Sequence, residues 1–182
     1  MNKNLVVLVA LTLVGCSSSS AVDENASWNK ADQKFVQEMI PHHEQAVVMS
    51  AMVGDVEVSP ETAALASGIT DAQATEIKLM QSFLDEWSVK SDPHAGHMMS
   101  GDESHGMMTD EELSELKNSL GVDFEKMWLT MMLAHHNGAV KMAETVLADG
   151  KDSRVKTLAE NIINTQQKEI ETINSLLANL GS

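Results

Sequence analysis

Tyrosine is absent from this chain, aromatic residues make up only 3% of it, and there is a single cysteine. With 12 lysines and arginines against 27 acids, it also lacks the clustered cations that replace phosphate counterions on a nucleic-acid surface. No nucleic-acid partner is expected. One thiol cannot form an internal disulfide. Long apolar runs are missing too: the run at residues 5–14 is too short to span a bilayer as a mature helix. What remains is a chain of 182 residues and formal charge −15. That length suits one domain with a real core and is too short for two comfortable ones. The acidic balance suits solubility or the attraction of cations.

The first residues read as an export signal. Lys3 supplies a positive charge, the apolar run follows, and Leu13-Val14-Gly15-Cys16 closes it with small residues. This ending resembles the lipobox of bacterial lipoproteins. Cleavage after residue 15 would leave Cys16 at the mature N-terminus, where lipidation supplies several acyl chains and a firmer grip than one chain gives. Residues 16–27, with four consecutive serines, have too little apolar surface to fold and read as a tether. By resemblance to lipoprotein sorting rules, Ser17 after the cysteine favours the outer membrane. The expectation is a periplasm-facing, lipid-anchored protein of the cell envelope.

The rest of the chain repeats itself. MIPHHEQAVVMS at residues 39–50 returns as MLAHHNGAVKMA at 132–143, a shift of 93 residues without a gap. The same shift pairs Leu65 with Leu158, Ile69 with Ile162, Gln73 with Gln166, Glu76 with Glu169 and Leu84 with Leu177. Met39, His42, Ala46, Met49 and Val53 follow the 3,4,3,4 spacing by which a helix faces a core. Leu65, Ile69, Gln73, Glu76, Met80 and Phe83 do the same on a second helix. Gly54 ends the first and Ser59-Pro60-Glu61 starts the second, with serine as N-cap and proline at the first helical position. In the other copy, Gly150 stops a helix and Asp152 or Ser153 caps the next.

Each copy is therefore an αα-hairpin, at residues 28–87 and 122–180, and two hairpins with one apolar face each bury them against one another. The expectation is an all-α fold, a four-helix bundle over residues 28–182. Pro41 lies inside the first stripe, where it removes a backbone donor; a helix over 27–53, kinked rather than broken, is expected. The connector, residues 88–121, differs in kind. DPHAGHMMSGDESHGMM is rich in His, Met and Gly, and a capping box at Thr109-Asp110-Glu111-Glu112 then opens a short helix to about residue 120.

The chemistry lies on the core stripes. His42 stands between Met39 and Met49 and faces Gln73 and Glu76; His135 stands between Met132 and Met142 and faces Gln166 and Glu169. Adjacent helical residues point about 100° apart, so His42 and His43 cannot approach one ion from the same direction. His42 and His135 are the first choice as ligands, with His43 and His136 outside them or facing a second helix. Thioethers are soft and need no deprotonation, so the set favours Cu(I) or Ag(I) over zinc, which takes His, Cys and carboxylate. Glu76 and Glu169 either ligate directly or orient a histidine. The connector offers the same donors in His94, His97, Met98, His105, Met107 and Met108, and its imidazoles suit Cu(II) as well.

Plainer roles exist for each residue alone. Methionine on a bundle stripe is commonly core filler, and a buried histidine commonly pairs with an acid. The recurrence of His-His, flanking Met and Gln-x-x-Glu as one unit favours metal binding.

At these residues the chain resembles the bacterial family known as domain of unknown function 305. Its Met-[Ile/Leu]-x-His-His-x-x-Ala-[Val/Ile]-x-Met-Ala helix and following Ile-x-x-x-Gln-x-x-Glu-Ile appear here twice, with Ser50 in place of the first copy's alanine after Met49. The resemblance covers nearly all of residues 33–180. It implies a ferritin-like bundle, export, and a role in copper binding and tolerance carried by His42, His43, Met49, His135, His136 and Met142.

The function expected is a non-enzymatic, membrane-tethered copper-binding protein that sequesters copper or passes it to a partner protein, its Met-rich surface being suited to pairing with a second copy. A ferritin-like di-iron oxidoreductase ranks lower, because Glu-x-x-His pairs are missing and each copy has one inward glutamate. A structural lipoprotein whose histidines satisfy buried acids is the third reading.

Overall fold

The apolar stripes become helices wherever a polar residue can cap them. In the computed structural model, which describes residues 26–90 and 105–181, α1 spans Lys30–Met52, α2 Pro60–Glu86, α3 Asp110–Asn118, α4 Gly121–Asp149 and α5 Ser153–Leu180. No strand occurs among the described residues. The proposed signal peptide and most of the tether, with Cys16, lie outside them, as do His94, His97 and Met98 of the connector.

Helix starts follow side-chain chemistry. Asn29 and Asp32 form a capping box at α1, so the helix begins after residue 29 rather than at 27. Ser59 caps α2 with Pro60 at its first position, Thr109 and Glu112 form the box at α3, and Asp152 caps α5. The short helix stops at Asn118, two residues before the expected end. Gly121 then opens α4 with φ +56°, a conformation that favours glycine.

Pro41 does not break α1. It has no N–H to donate, so the carbonyl of Gln37 loses its usual helical partner while the flanking bonds carry the helix through. At its far end α1 tightens into a 3-10 turn, Val53–Asp55, and the Val53 amide turns to Ser50. The Met49 carbonyl that this releases accepts the indole N–H of Trp128, fully buried on α4, at 3.0 Å.

Two apolar clusters fill the bundle, and together they fix its directions. One joins Phe35, Val36, Met39 and Ile40 of α1 to Ala139, Met142, Ala143 and Val146 of α4, with Phe83 and Leu84 of α2 and Leu158 and Ile162 of α5. The other joins Ala46, Met49 and Val53 to Phe124, Trp128, Leu129 and Met132, with Ile69 and Ile173. The start of α1 thus meets the end of α4 and the reverse, so these helices run antiparallel. Each fully buried large apolar side chain contributes about 1.5–3 kcal/mol.

The hairpins also clasp each other by buried carboxylates at repeat-matched positions. Asp32 on α1 accepts the amides of Lys151 and Asp152 just ahead of α5, at 2.9 and 3.1 Å. Glu125 on α4 accepts from the Ser59 and Thr62 hydroxyls at the start of α2. Burial favours protonating Glu125, but these hydrogen bonds outweigh it and hold its pKa below the usual carboxylate range. In both places an anion sits at a helix N-terminus, where the dipole favours it.

Candidate metal centre

The two His-His pairs stand where α1 and α4 cross between the two apolar clusters. All four imidazoles are buried. The rings of His42 and His135 face each other, centroids 3.8 Å apart and planes 36° from parallel. His43 and His136 turn outward: the Nε2 of each meets a glutamate oxygen, Glu76 and Glu169 respectively, at 2.8 Å. These carboxylates, 18% and 15% exposed, lie at the rim of the core on α2 and α5. Each carboxylate grips one imidazole.

The hydrogen bonds decide which ring nitrogen is committed to a partner. A carboxylate accepts, so Nε2 of His43 and His136 carries the proton and Nδ1 is left as the donor atom. For His42, Nε2 donates to the carbonyl oxygen of His105 at 3.0 Å, again leaving Nδ1. None of these three Nδ1 atoms has a hydrogen-bond partner, and neither nitrogen of His135 has one. Buried polar atoms are nearly always paired, so five unpartnered nitrogens on four neighbouring buried rings stand out as candidate ligand contacts.

Burial pushes the pKa of His42 down to about 3; the His105 carbonyl works against this, and the neighbouring His43 and His136 add to it. His135 is also held well below the ordinary value, first by burial and then by His42, His136 and His43. Two neutral rings can approach at 3.8 Å where two cations could not. A neutral imidazole is also the form that binds a metal.

The four methionines flank this layer in pairs. Met39 and Met142 belong to the apolar cluster on one side, Met132 and Met49 to the cluster on the other. All four are buried. Among the described residues no group of three or more His, Cys, Asp and Glu side chains forms a metal cage.

The described end of the connector meets this layer through its backbone. The carbonyl of His105 lies at His42. His105 also lines a cleft of about 220 Å³ with Phe35, Glu38 and Met142. Met108 packs against the second apolar cluster, the one that holds Met49 and Met132. Both its backbone groups are gripped by the Gln45 amide, at 2.7 and 2.8 Å. Met107 is half-buried beside it.

Two glycines let this strap lie flat on α4. Gly106, at φ +75°, follows His105 at φ +48°. A Cβ on Gly106 would strike the Ala134 carbonyl, and one on Gly138 would strike the His105 carbonyl. Gln45 and Gly138 are repeat-matched positions that sequence reasoning missed. The mismatch of a large amide with glycine inside an otherwise faithful repeat was the available signal.

Solved structures share this architecture. A DUF305 protein from Streptomyces coelicolor is 31% identical with a TM-score of 0.73, over 84% of this chain and 94% of that one. CopM in its Cu(II)-bound form is 28% identical with a TM-score of 0.71, over 81% of this chain and 96% of that one. CopM is also known in Cu(I)-bound and Ag-bound forms, each 27% identical to this chain over the same shares, with TM-scores of 0.67. Uncharacterized protein L153 of Acanthamoeba polyphaga mimivirus is 42% identical over 53 residues, 29% of this chain and 35% of its own length. The model of the family described as Domain of unknown function (DUF305) matches residues 32–177, and this chain, with its paired histidines and paired hairpins, belongs to that family.

Proposed function

We propose that the protein binds copper at the histidine layer and acts as a non-enzymatic, exported and lipid-tethered copper sequestrant or carrier. The observation that carries this reading is the stacked His42–His135 pair, with unpartnered nitrogens facing inward between two pairs of buried methionines. Imidazole and thioether together suit Cu(I). The structures of CopM with Cu(I), Cu(II) and Ag bound support the same chemistry in a relative of this fold.

Each glutamate is held by its histidine, which leaves no carboxylate bridge of the kind a di-iron oxidase uses. That argues for binding without turnover. Export and the anchor at Cys16 rest on the lipobox-like start, with added support from the Streptomyces relative, described as inferred to be secreted. No described helix is long and apolar enough to cross a membrane. The connector's His94, His97 and Met98 supply further copper donors; delivery to a partner protein, or pairing of two copies, extends the same proposal.

Anaerobic competition against a Cu(I) chelator tests it. The protein should withdraw copper from the chelator, and substitution of His42 and His135 should abolish that. Affinity no better than that of a histidine-poor control protein would reject the proposal.

A further inference from the structure

Gln73 and Gln166 occupy matched places on α2 and α5, each one helical turn before the glutamate that grips a histidine. Both are 2% exposed, and neither the amide oxygen nor the amide nitrogen of either has a hydrogen-bond partner. A primary amide hidden from water without partners is costly, and a leucine there would simply pack. The sequence nevertheless places the amide there twice.

Register shows what surrounds them. The His43–Glu76 contact between antiparallel helices puts Ala46 opposite Gln73, and the His136–Glu169 contact puts Ala139 opposite Gln166. Both alanines are fully buried. These small side chains stand opposite the amides, three residues along each helix from the His–Glu contact. Buried imidazole nitrogen, methionine sulfur and amide oxygen are thus all available in this part of the bundle. Thioether and imidazole satisfy a soft monovalent ion; a Cu(II) ion prefers nitrogen and oxygen donors and retains water.

We propose that Gln73 and Gln166 are the oxygen-donor element of the histidine layer, positioning Cu(II) and its bound water, so that one layer serves both oxidation states. The inference rests on the copper reading above and assigns the specificity of that same site. The amides matter for Cu(II), whereas the methionines matter for Cu(I) and Ag(I).

The test compares the intact protein with Gln73→Leu/Gln166→Leu, titrating each with Cu(II) and, separately, with Ag(I) as a redox-inert soft ion. Cu(II) affinity should fall by about ten- to hundredfold, as for other partners that support metal ligands, and the Cu(II) electron paramagnetic resonance parameters should shift. Ag(I) affinity should be unchanged, which also reports an intact bundle. Should the double variant fail to fold, the single variants Gln73→Leu and Gln166→Leu should each lose part of the Cu(II) affinity. The conservative Gln73→Glu, which keeps an oxygen donor, should retain it. Equal losses for both ions, or no loss for either, would overturn the inference. A wild-type protein that binds neither ion would overturn the copper reading itself, and the inference with it.

Discussion

The two hairpins carry the same histidines, glutamates and methionines, yet they treat one another's surroundings unequally. At the His43–Glu76 and His136–Glu169 pairs the copies agree, with 2.8 Å at each. At the next matched position they part: Gln45 clamps the strap by Met108, while Gly138 clears space for the His105 carbonyl. Consequently His42 Nε2 is committed to that carbonyl and both nitrogens of His135 are uncommitted. Duplication builds a symmetric interior, but the described end of the connector meets its two halves by different groups: hydrogen bonds from His42 and Gln45 on one side, close backbone packing at Ala134 and Gly138 on the other.

The comparison breaks first at the histidines. Replacing His42 and His135 together by alanine should cost more metal affinity than the ~10–100-fold typical of supporting partners, measured by chelator competition. Between the single variants, His135→Ala should lose the more, because neither of its ring nitrogens has a hydrogen bond to give up. Equal losses would mean that the strap does not distinguish the halves.

The strap supplies the next largest effect. Gly138→Ala drives a Cβ into the His105 carbonyl and should destabilise the fold by about 1–3 kcal/mol, the range for overpacking. Gln45→Ala removes two hydrogen bonds to Met108 and should cost a similar ~1–3 kcal/mol. Urea unfolding reads both. Because they act on one strap, the double variant should cost less than the sum of the two.

The glutamates sharpen the symmetric part. Glu76→Gln and Glu169→Gln should each lower metal affinity by about ten- to hundredfold, and by the same factor. A clear inequality would place the metal nearer one hairpin.

Acid should act through the same layer. His42, at about 3, and His135, well below 6.5, stay neutral in the fold while the unfolded chain takes up protons. A base with a depressed pKa favours unfolding as pH falls below its unfolded value. Stability of the metal-free protein should therefore decline from about pH 6.5 toward pH 3. Glu125 and Asp152, whose pKa values are lowered from 4.5 and 3.8, act in the same direction but only below those values. The slope between pH 6.5 and 4.5 thus belongs to the histidines, and His42→Ala/His135→Ala should flatten it.

The smallest effect is a control away from the site. Gly68 lies within α2 with open space where a Cβ would stand, so Gly68→Ala should stabilise by about 0.5–1 kcal/mol and leave metal binding unchanged.

Much of this could be read from the residues because periodicity and chemistry coincide. Met39, His42, Ala46 and Met49 share one stripe, and a 93-residue shift finds their copies, so the bundle and the inward place of His42 and His135 follow from spacing, whereas the stacking of those two rings and the pairing of Glu76 and Glu169 with His43 and His136 do not. Cap residues such as Ser59 and Thr109 placed helix starts for the same local reason. What escaped was everything that depends on long-range register. No local pattern indicates that Asp32 reaches the amides ahead of α5, or that His105 contributes a carbonyl. Nor does composition indicate that Met108 packs against the cluster holding Met49 and Met132.

X-ray absorption at the copper edge of the Cu(I)-loaded protein tests the central claim most directly. Imidazole nitrogen and thioether sulfur should both appear in the first coordination shell, and the nitrogen contribution should fall in His42→Ala/His135→Ala. A shell unaltered by that double substitution would show that copper sits elsewhere and would contradict the account.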